Sequence, residues 1–122
     1  MPKILMVDDD EDLRSIVKSF LEVKGFAVMT AADGVQALEI IQKETVDLMI
    51  VDLTMPVMGG WHFTSKVRQN PRYKETPIIV LSGLFEGDSE PEQFEFASAH
   101  MAKPFDVFKL LEKIQALLKI NP

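Results

Sequence analysis

Five polar side chains that could do chemistry end or directly follow short apolar runs in this chain: Asp8, Asp9, Asp52, Ser82 and Lys103. If the runs are parallel strands, their carboxyl ends meet at one edge of a sheet, where three carboxylates, a hydroxyl and an ammonium could converge. Neighbouring carboxylates repel one another unless a cation joins them. Oxygen ligands without histidine or cysteine favour a hard cation, and a partly filled shell suits Mg²⁺ that keeps several waters. Ca²⁺ is less expected, because no loop supplies the full oxygen shell that this ion takes.

Such a set of side chains is suited to phosphoryl chemistry. An aspartate carboxylate can attack phosphorus and form an aspartyl phosphate, and it needs no general base because it is ionised at neutral pH. A metal ion and Lys103 would neutralise charge on the equatorial phosphoryl oxygens, while Ser82 would donate a hydrogen bond to one of them. Each residue also has an ordinary alternative role: Asp52 can start a turn, Ser82 can be a turn hydroxyl, and Lys103 can be a surface lysine.

The apolar runs that carry these residues have the length of strands. Continuous apolar runs bounded by turn signals are typical of strands buried on both faces of a parallel sheet. We predict five of them, over residues 3–7, 26–31, 46–52, 78–81 and 100–102. Their alternation with helical segments predicts an α/β fold with a doubly wound, mostly parallel sheet and right-handed crossovers.

Helical periodicity lies between the strands. The first helix has Asp10 or Asp12 as its expected N-cap and ends near Gly25. Further helices are predicted after the turn at Asp33, over residues 61–69, as a short late segment within 86–95, and after the cap Asp106. The apolar positions that define the first, second and last helix are Leu13, Ile16, Val17, Phe20 and Leu21; Val35, Leu38 and Ile41; and Val107, Leu110, Leu111, Ile114, Leu117 and Leu118.

Length and composition limit the remaining possibilities. The 122 residues, numbered 1–122, suit a single domain. The formal net charge of −6 argues against nucleic acid or an anionic membrane as the direct partner. With no cysteine, no signal-peptide pattern and no membrane-length apolar run, a cytoplasmic protein is expected. The turn after the first strand lacks the glycines of a P-loop or dinucleotide site, so nucleotide binding by those routes is not expected.

In its motifs the chain resembles the receiver domain of two-component response regulators over essentially its whole length. The motifs, in this order and at this spacing, are ILMVDD at 4–9, DLTMPVMGG at 52–60, IVLSG at 79–83 and KPF at 103–105. Each motif alone is weak, whereas the ordered set is specific. The resemblance implies a flavodoxin-like sheet of order 2-1-3-4-5 with helices on both faces.

The same resemblance implies roles for the acidic residues. Asp52 matches the phosphoacceptor of the family. Asp8 and Asp9 match its acidic pair, with Asp9 touching Mg²⁺ directly and Asp8 through water. The main-chain carbonyl of Thr54 matches the remaining protein ligand of the metal ion.

Other matched positions concern phosphate binding and switching. Ser82 matches the switch hydroxyl and Lys103 the phosphate-binding lysine, and the family tends to hold the bond from Lys103 to Pro104 in the cis form. His100 stands where the switch aromatic, usually tyrosine or phenylalanine, is expected, and it is smaller, polar and titratable. Phe96 occupies a place often held by glycine. With these departures the set of residues for phosphorylation is still complete, but the switch residues differ from the usual pattern of the family.

The expected function is that of a phosphoacceptor, which takes its phosphoryl group from a histidine kinase or a phosphotransfer protein and then changes its surface toward a downstream protein. It would be an enzyme only in catalysing its own phosphorylation and dephosphorylation. Thr54 and Leu84 should flank the path of the hydrolytic water, and the bulk of Leu84 predicts slow dephosphorylation. A half-life of seconds, unchanged in Leu84→Ala, would contradict that expectation.

Two other functions are alternatives to this one. A protein-binding module that does not use phosphorylation is suggested by His100 and Phe96, but the complete set of acidic, hydroxyl and lysine residues argues against it. A metal-dependent phosphatase would usually carry a second aspartate two residues after the nucleophile, where this chain has Thr54. Whether the domain acts alone or belongs to a longer chain, and whether it forms a homodimer through the last helix, stays open.

Overall fold

The computed structural model describes residues 1–53, 58, 60–82 and 97–119, with the main chain alone at 61. In this part of the chain five strands alternate with four α-helices. The strands are β1 (Lys3–Val7), β2 (Ala27–Ala31), β3 (Leu48–Asp52), β4 (Ile78–Ser82) and β5 (Ala99–Ala102). The helices are α1 (Glu11–Val23), α2 (Gly34–Lys43), α3 (Gly60–Gln69) and α4 (Val107–Leu118), with a short 3₁₀ turn at Pro71–Tyr73.

All five strands form one parallel sheet in the order β2-β1-β3-β4-β5. This confirms the predicted topology, including the order that the family resemblance implied. The chain moves from β1 to β2 on one side and then crosses to β3 on the other side of β1. The direction of winding therefore reverses between the neighbouring strands β1 and β3. Open α/β sheets bind their ligands at such a reversal, beyond the carboxyl ends of the strands.

The sheet is buried on both faces, which explains the continuous apolar runs. β3 and β4 are buried at every position. One face packs against α1 and α4 through residues such as Val17, Leu21 and Leu110. The other face packs against α2 and α3 through residues such as Ile41 and Phe63. Helices therefore cover both faces, as predicted.

Helix starts follow the predicted caps. Asp10 is the N-cap of α1 and accepts a hydrogen bond from the Leu13 amide at 3.1 Å, so the capping role belongs to Asp10 rather than to Asp12. Asp33 and Asp106 cap α2 and α4 in the same way. Gly25 follows α1 with φ of 98°, a left-handed conformation that glycine adopts without strain.

Some predicted details are wrong. Ile16 lies on the flank of α1 with 58% of its surface exposed, because Val17 and Leu21 are the residues that face the sheet. Val35 is 41% exposed on α2, since Ala37 and Ile41 provide the contact there. In α4 only Leu110 and Ile114 are buried, and the other four predicted positions are partly buried. β2 begins one residue later than predicted, β3 two residues later and β5 one residue earlier, and β4 ends one residue later.

The late helix predicted within 86–95 lies outside the described residues. In the part of the chain that the structure describes, none of the helices combines the length and the apolarity needed to cross a bilayer.

Candidate functional site

The predicted site residues lie together at the carboxyl edge of the sheet. Asp8 directly follows β1, Asp52 is the last residue of β3, and Ser82 is the last residue of β4. Lys103 directly follows β5, and its amide donates to the carbonyl oxygen of Ser82 at 2.8 Å. Since the strands are parallel and in register, the sheet itself brings these side chains to one edge.

Lys103 links the two buried carboxylates of the site. Its Nζ lies 2.7 Å from Oδ2 of Asp8 and 3.2 Å from Oδ2 of Asp52. Asp8 is fully buried and Asp52 is 3% exposed. Burial by itself would lower the pKa of Lys103, but the close contact with Asp8 and the negative charges of Asp8 and Asp52 outweigh burial and raise that pKa. The ammonium therefore stays charged at neutral pH between two carboxylates.

Asp9 completes a three-carboxylate cluster with Asp8 and Asp52. One carboxylate oxygen from each residue lies within 4.8 Å of the others. Asp9 is exposed, so the cluster opens to solvent on one side. One lysine cannot balance three carboxylates, and the excess negative charge at this edge attracts cations.

The two oxygens of Asp8 have different surroundings. Oδ1 accepts a hydrogen bond from the Asp10 amide at 2.9 Å. Oδ2 is buried and, among the described residues, accepts no aligned hydrogen bond, although the ammonium of Lys103 lies close to it. A buried carboxylate oxygen with a free coordination direction beside two further carboxylates fits a hard divalent cation such as Mg²⁺.

Two residues that the sequence analysis did not single out support this edge. Arg14 donates from Nη1 to the carbonyl oxygen of Asp8 at 2.7 Å. Gly60 lies against the main chain of Asp52, and its amide donates to the carbonyl oxygen of Leu53 at 3.3 Å. A Cβ on Gly60 would overlap the carbonyl oxygen of Asp52 and lie 2.7 Å from Cα of Leu53. The glycine pair at 59–60 ends the second motif, but no sequence pattern indicates this close approach.

Gly60→Ala should therefore destabilise the protein. The new methyl group would meet main-chain atoms that cannot rotate away, so α3 or the end of β3 must shift, at a cost of about 2–3 kcal/mol. Urea unfolding measures this loss. Gly25→Ala is the comparison, because that position has a positive φ but open space around it, and we expect about 1 kcal/mol there. Equal losses in the two variants would contradict crowding at Gly60.

A model of the response regulator receiver domain family matches residues 4–115. The chain belongs to this family. Among solved structures, the chemotaxis response regulator CheY4 of Vibrio cholerae superimposes with a TM-score of 0.86 at 38% identity, covering 96% of this chain and 98% of that one. The response regulator TrrA of Thermotoga maritima, solved in complex with Mg²⁺-BeF, gives a TM-score of 0.85 at 30% identity, covering 96% of this chain and 99% of that one.

Among curated relatives, the DNA-binding dual master transcriptional regulator RpaA of Synechocystis is 31% identical over 120 residues. The match covers 98% of this receiver chain but 50% of RpaA. This chain thus spans about half the length of the curated relatives it matches. The DNA binding in that name belongs to the longer relative.

Three further predicted positions of the receiver domain, at Pro104, His100 and Ser82, lie within the described residues. The bond from Lys103 to Pro104 is cis, as the resemblance implied. His100 lies within β5 with an exposed side chain and pairs in register with Val80. Ser82 is 7% exposed at the end of β4. The predicted positions Thr54, Leu84 and Phe96 lie outside the described residues.

Proposed function

We propose that residues 1–122 form a single receiver domain that accepts a phosphoryl group on Asp52 in a Mg²⁺-dependent reaction. The observation that supports this proposal best is the arrangement around Asp52. Its buried carboxylate lies 3.2 Å from the Lys103 ammonium and within one cluster with the carboxylates of Asp8 and Asp9. The proposed nucleophile, the lysine and the proposed metal ligands thus share one edge of the sheet, which supports the proposal.

The proposed reaction is a displacement at phosphorus. An oxygen of Asp52 forms a new P–O bond, while the bond from phosphorus to the donor atom breaks and the donor leaves with its electron pair. The nucleophile is already anionic at neutral pH, so no proton has to be removed from it. Charge on the transferring group lies mainly on its three equatorial oxygens, and these are what the site must stabilise.

Two side chains would provide that stabilisation directly, and a set of metal ligands would provide it through a bound ion. Lys103 would bind one equatorial oxygen as a charge-assisted donor, and the hydroxyl of Ser82 would donate to another. Asp8, Asp9 and Asp52, with the carbonyl of Thr54, would hold Mg²⁺. When bound, that ion would supply positive charge that offsets the repulsion between the phosphoryl group and the acidic cluster.

The partners follow from this chemistry. The donor would be a histidine kinase or a phosphotransfer protein, and the phosphorylated domain would change its surface toward a downstream protein. Ser82, together with His100 in place of the usual aromatic, would carry that switch. The domain would act as an enzyme only on its own phosphorylation state. At a net charge of −6, this domain itself is not expected to bind nucleic acid.

Acetyl phosphate tests the proposal without any partner. The protein is incubated with acetyl phosphate, with Mg²⁺ or with EDTA, and its intact mass is measured. We expect one added phosphoryl group with Mg²⁺ and none with EDTA. Beryllofluoride, followed by NMR shifts, provides a second measurement that needs no transfer. Absence of an adduct together with absence of Mg²⁺-induced shifts would contradict the proposal and favour a binding module that works without phosphorylation.

A further inference from the structure

The side chain of Arg14 reaches back from α1 to the main chain at the end of β1. Its Nη1 donates to the carbonyl oxygen of Asp8 at 2.7 Å, and this hydrogen bond is partly buried. The amide of Asp8 still belongs to the sheet, since it donates to the carbonyl oxygen of Ala31 at 3.0 Å. Arg14 therefore holds the first peptide group beyond the ladder of β1.

That peptide group joins the two neighbouring carboxylates of the site. Because a peptide unit is planar, holding the carbonyl oxygen of Asp8 also sets the direction of the Asp9 amide and the position of the Asp9 Cα. The side chain of Asp9 is exposed. Within the described residues its carboxylate takes part in no hydrogen bond or ion pair. The main chain is what directs Asp9 toward Asp8 and Asp52.

We infer that Arg14 is a positioning residue for the proposed cation site, an inference that rests on the proposed function. By holding the Asp8 carbonyl, Arg14 keeps the Asp9 carboxylate close to those of Asp8 and Asp52, so that the three can bind one divalent cation. Groups that orient metal ligands without touching the metal commonly change its affinity by about 10- to 100-fold.

Charge and positioning predict opposite changes in Mg²⁺ affinity when Arg14 is replaced, which makes the inference testable. A guanidinium beside an acidic cluster repels a divalent cation, so removing its charge alone would strengthen Mg²⁺ binding. Loss of positioning would weaken it. Lys18, one turn further along α1, is a matched control because its Nζ donates to the carbonyl oxygen of Val28 at 3.0 Å. Methionine at either position removes one positive charge and one hydrogen bond to a main-chain carbonyl, and Lys18→Met also removes an exposed ion pair with Glu22.

The experiment compares Mg²⁺ affinity in wild type, Arg14→Met, Arg14→Lys and Lys18→Met. Mg²⁺ is titrated into the folded protein, and the amide NMR shifts of Asp9 and Asp10 give the Kd. Urea unfolding of each variant gives its stability. We expect the Kd for Mg²⁺ to rise about tenfold in Arg14→Met, to rise less in Arg14→Lys, and to stay within about twofold in Lys18→Met.

Several results would overturn the inference. Unchanged or tighter Mg²⁺ binding in Arg14→Met would do so while leaving the proposed function intact, because the wild type would still bind the ion. An equal loss of affinity in Lys18→Met would show that any weakening of α1 loosens the site. Absence of Mg²⁺ binding by the wild type would instead overturn the proposed function on which the inference rests.

Discussion

Asp52→Ala should abolish phosphoryl acceptance completely while leaving the fold intact. The variant lacks the proposed nucleophile, and the two neighbouring carboxylates are not expected to replace it. Asp8 is held by the Asp10 amide and by Lys103, and Asp9 is exposed to solvent. The measurement is intact mass after incubation with acetyl phosphate and Mg²⁺. An adduct of wild-type yield in Asp52→Ala would show that another residue is the acceptor.

The same variant should not be less stable than the wild type. Asp8 and Asp52 are two buried like charges that share one lysine, so removing Asp52 leaves a balanced pair of Asp8 and Lys103. We expect the free energy of unfolding without Mg²⁺ to stay unchanged or to rise by about 1 kcal/mol, as is common when a functional site is relieved of repulsion. A loss of several kcal/mol in urea unfolding would contradict this balance.

Asp47→Ala is the matched control for Asp52→Ala. Asp47 directly precedes β3, at the opposite end of the strand from Asp52, and its Oδ2 accepts from the Lys3 amide at 2.7 Å. The substitution makes the same change in net charge. It should leave phosphoryl acceptance at the wild-type rate and cost at most about 1 kcal/mol of stability through the lost exposed hydrogen bond. Loss of acceptance in this control would point to an effect of global charge or folding.

The sheet and its acidic edge were predictable from the sequence because two kinds of signal agreed. β3 and β4 are buried at every position, so each appears in the sequence as an uninterrupted apolar run. Each run ends in a polar residue, Asp52 or Ser82, at the edge of the sheet where ligands bind. Alternation with helices gave the doubly wound class, whereas the strand order came from the family resemblance.

What could not be predicted depends on contacts between distant parts of the chain. Ile16 fits the apolar stripe of α1, but periodicity does not tell how far the sheet extends beneath a helix, and the residue is exposed. Arg14 binds a main-chain carbonyl, and such bonds leave no spacing pattern in a sequence. The need for glycine at position 60 arises from the approach of α3 to the end of β3, which is a property of packing alone.

Among the described residues, Lys103 is the cation that contacts the buried carboxylates of the site. Two buried carboxylates and one ammonium leave an excess negative charge, to which exposed Asp9 adds. The ammonium offsets part of the repulsion between the carboxylates, and the remaining negative charge attracts a divalent ion. Lys103 would thus have two roles, since it offsets charge before the reaction and binds the phosphoryl group during it.

Lys103→Met separates these two roles. Methionine has a similar length but no charge, so Asp8 and Asp52 lose the ammonium that lies 2.7 Å and 3.2 Å from them. Without Mg²⁺ the free energy of unfolding should fall by roughly 3 kcal/mol, because removing one partner leaves buried charges unpaired. Mg²⁺ should restore much of this loss, since an ion that binds only the folded state stabilises it. Urea unfolding with Mg²⁺ and with EDTA measures both effects.

Phosphoryl acceptance in Lys103→Met should be slower by about 100-fold or more even at saturating Mg²⁺, the usual effect of losing one preorganised donor to a developing charge. The rate is measured with acetyl phosphate and intact mass. Lys109→Met, which removes an exposed lysine of α4, should match the wild type in rate and in Mg²⁺ dependence. If Lys103→Met keeps the wild-type rate but loses stability, then Lys103 only balances charge and another group must stabilise the transferring phosphoryl oxygens. If it keeps both, the ion pairs with Asp8 and Asp52 contribute to neither role.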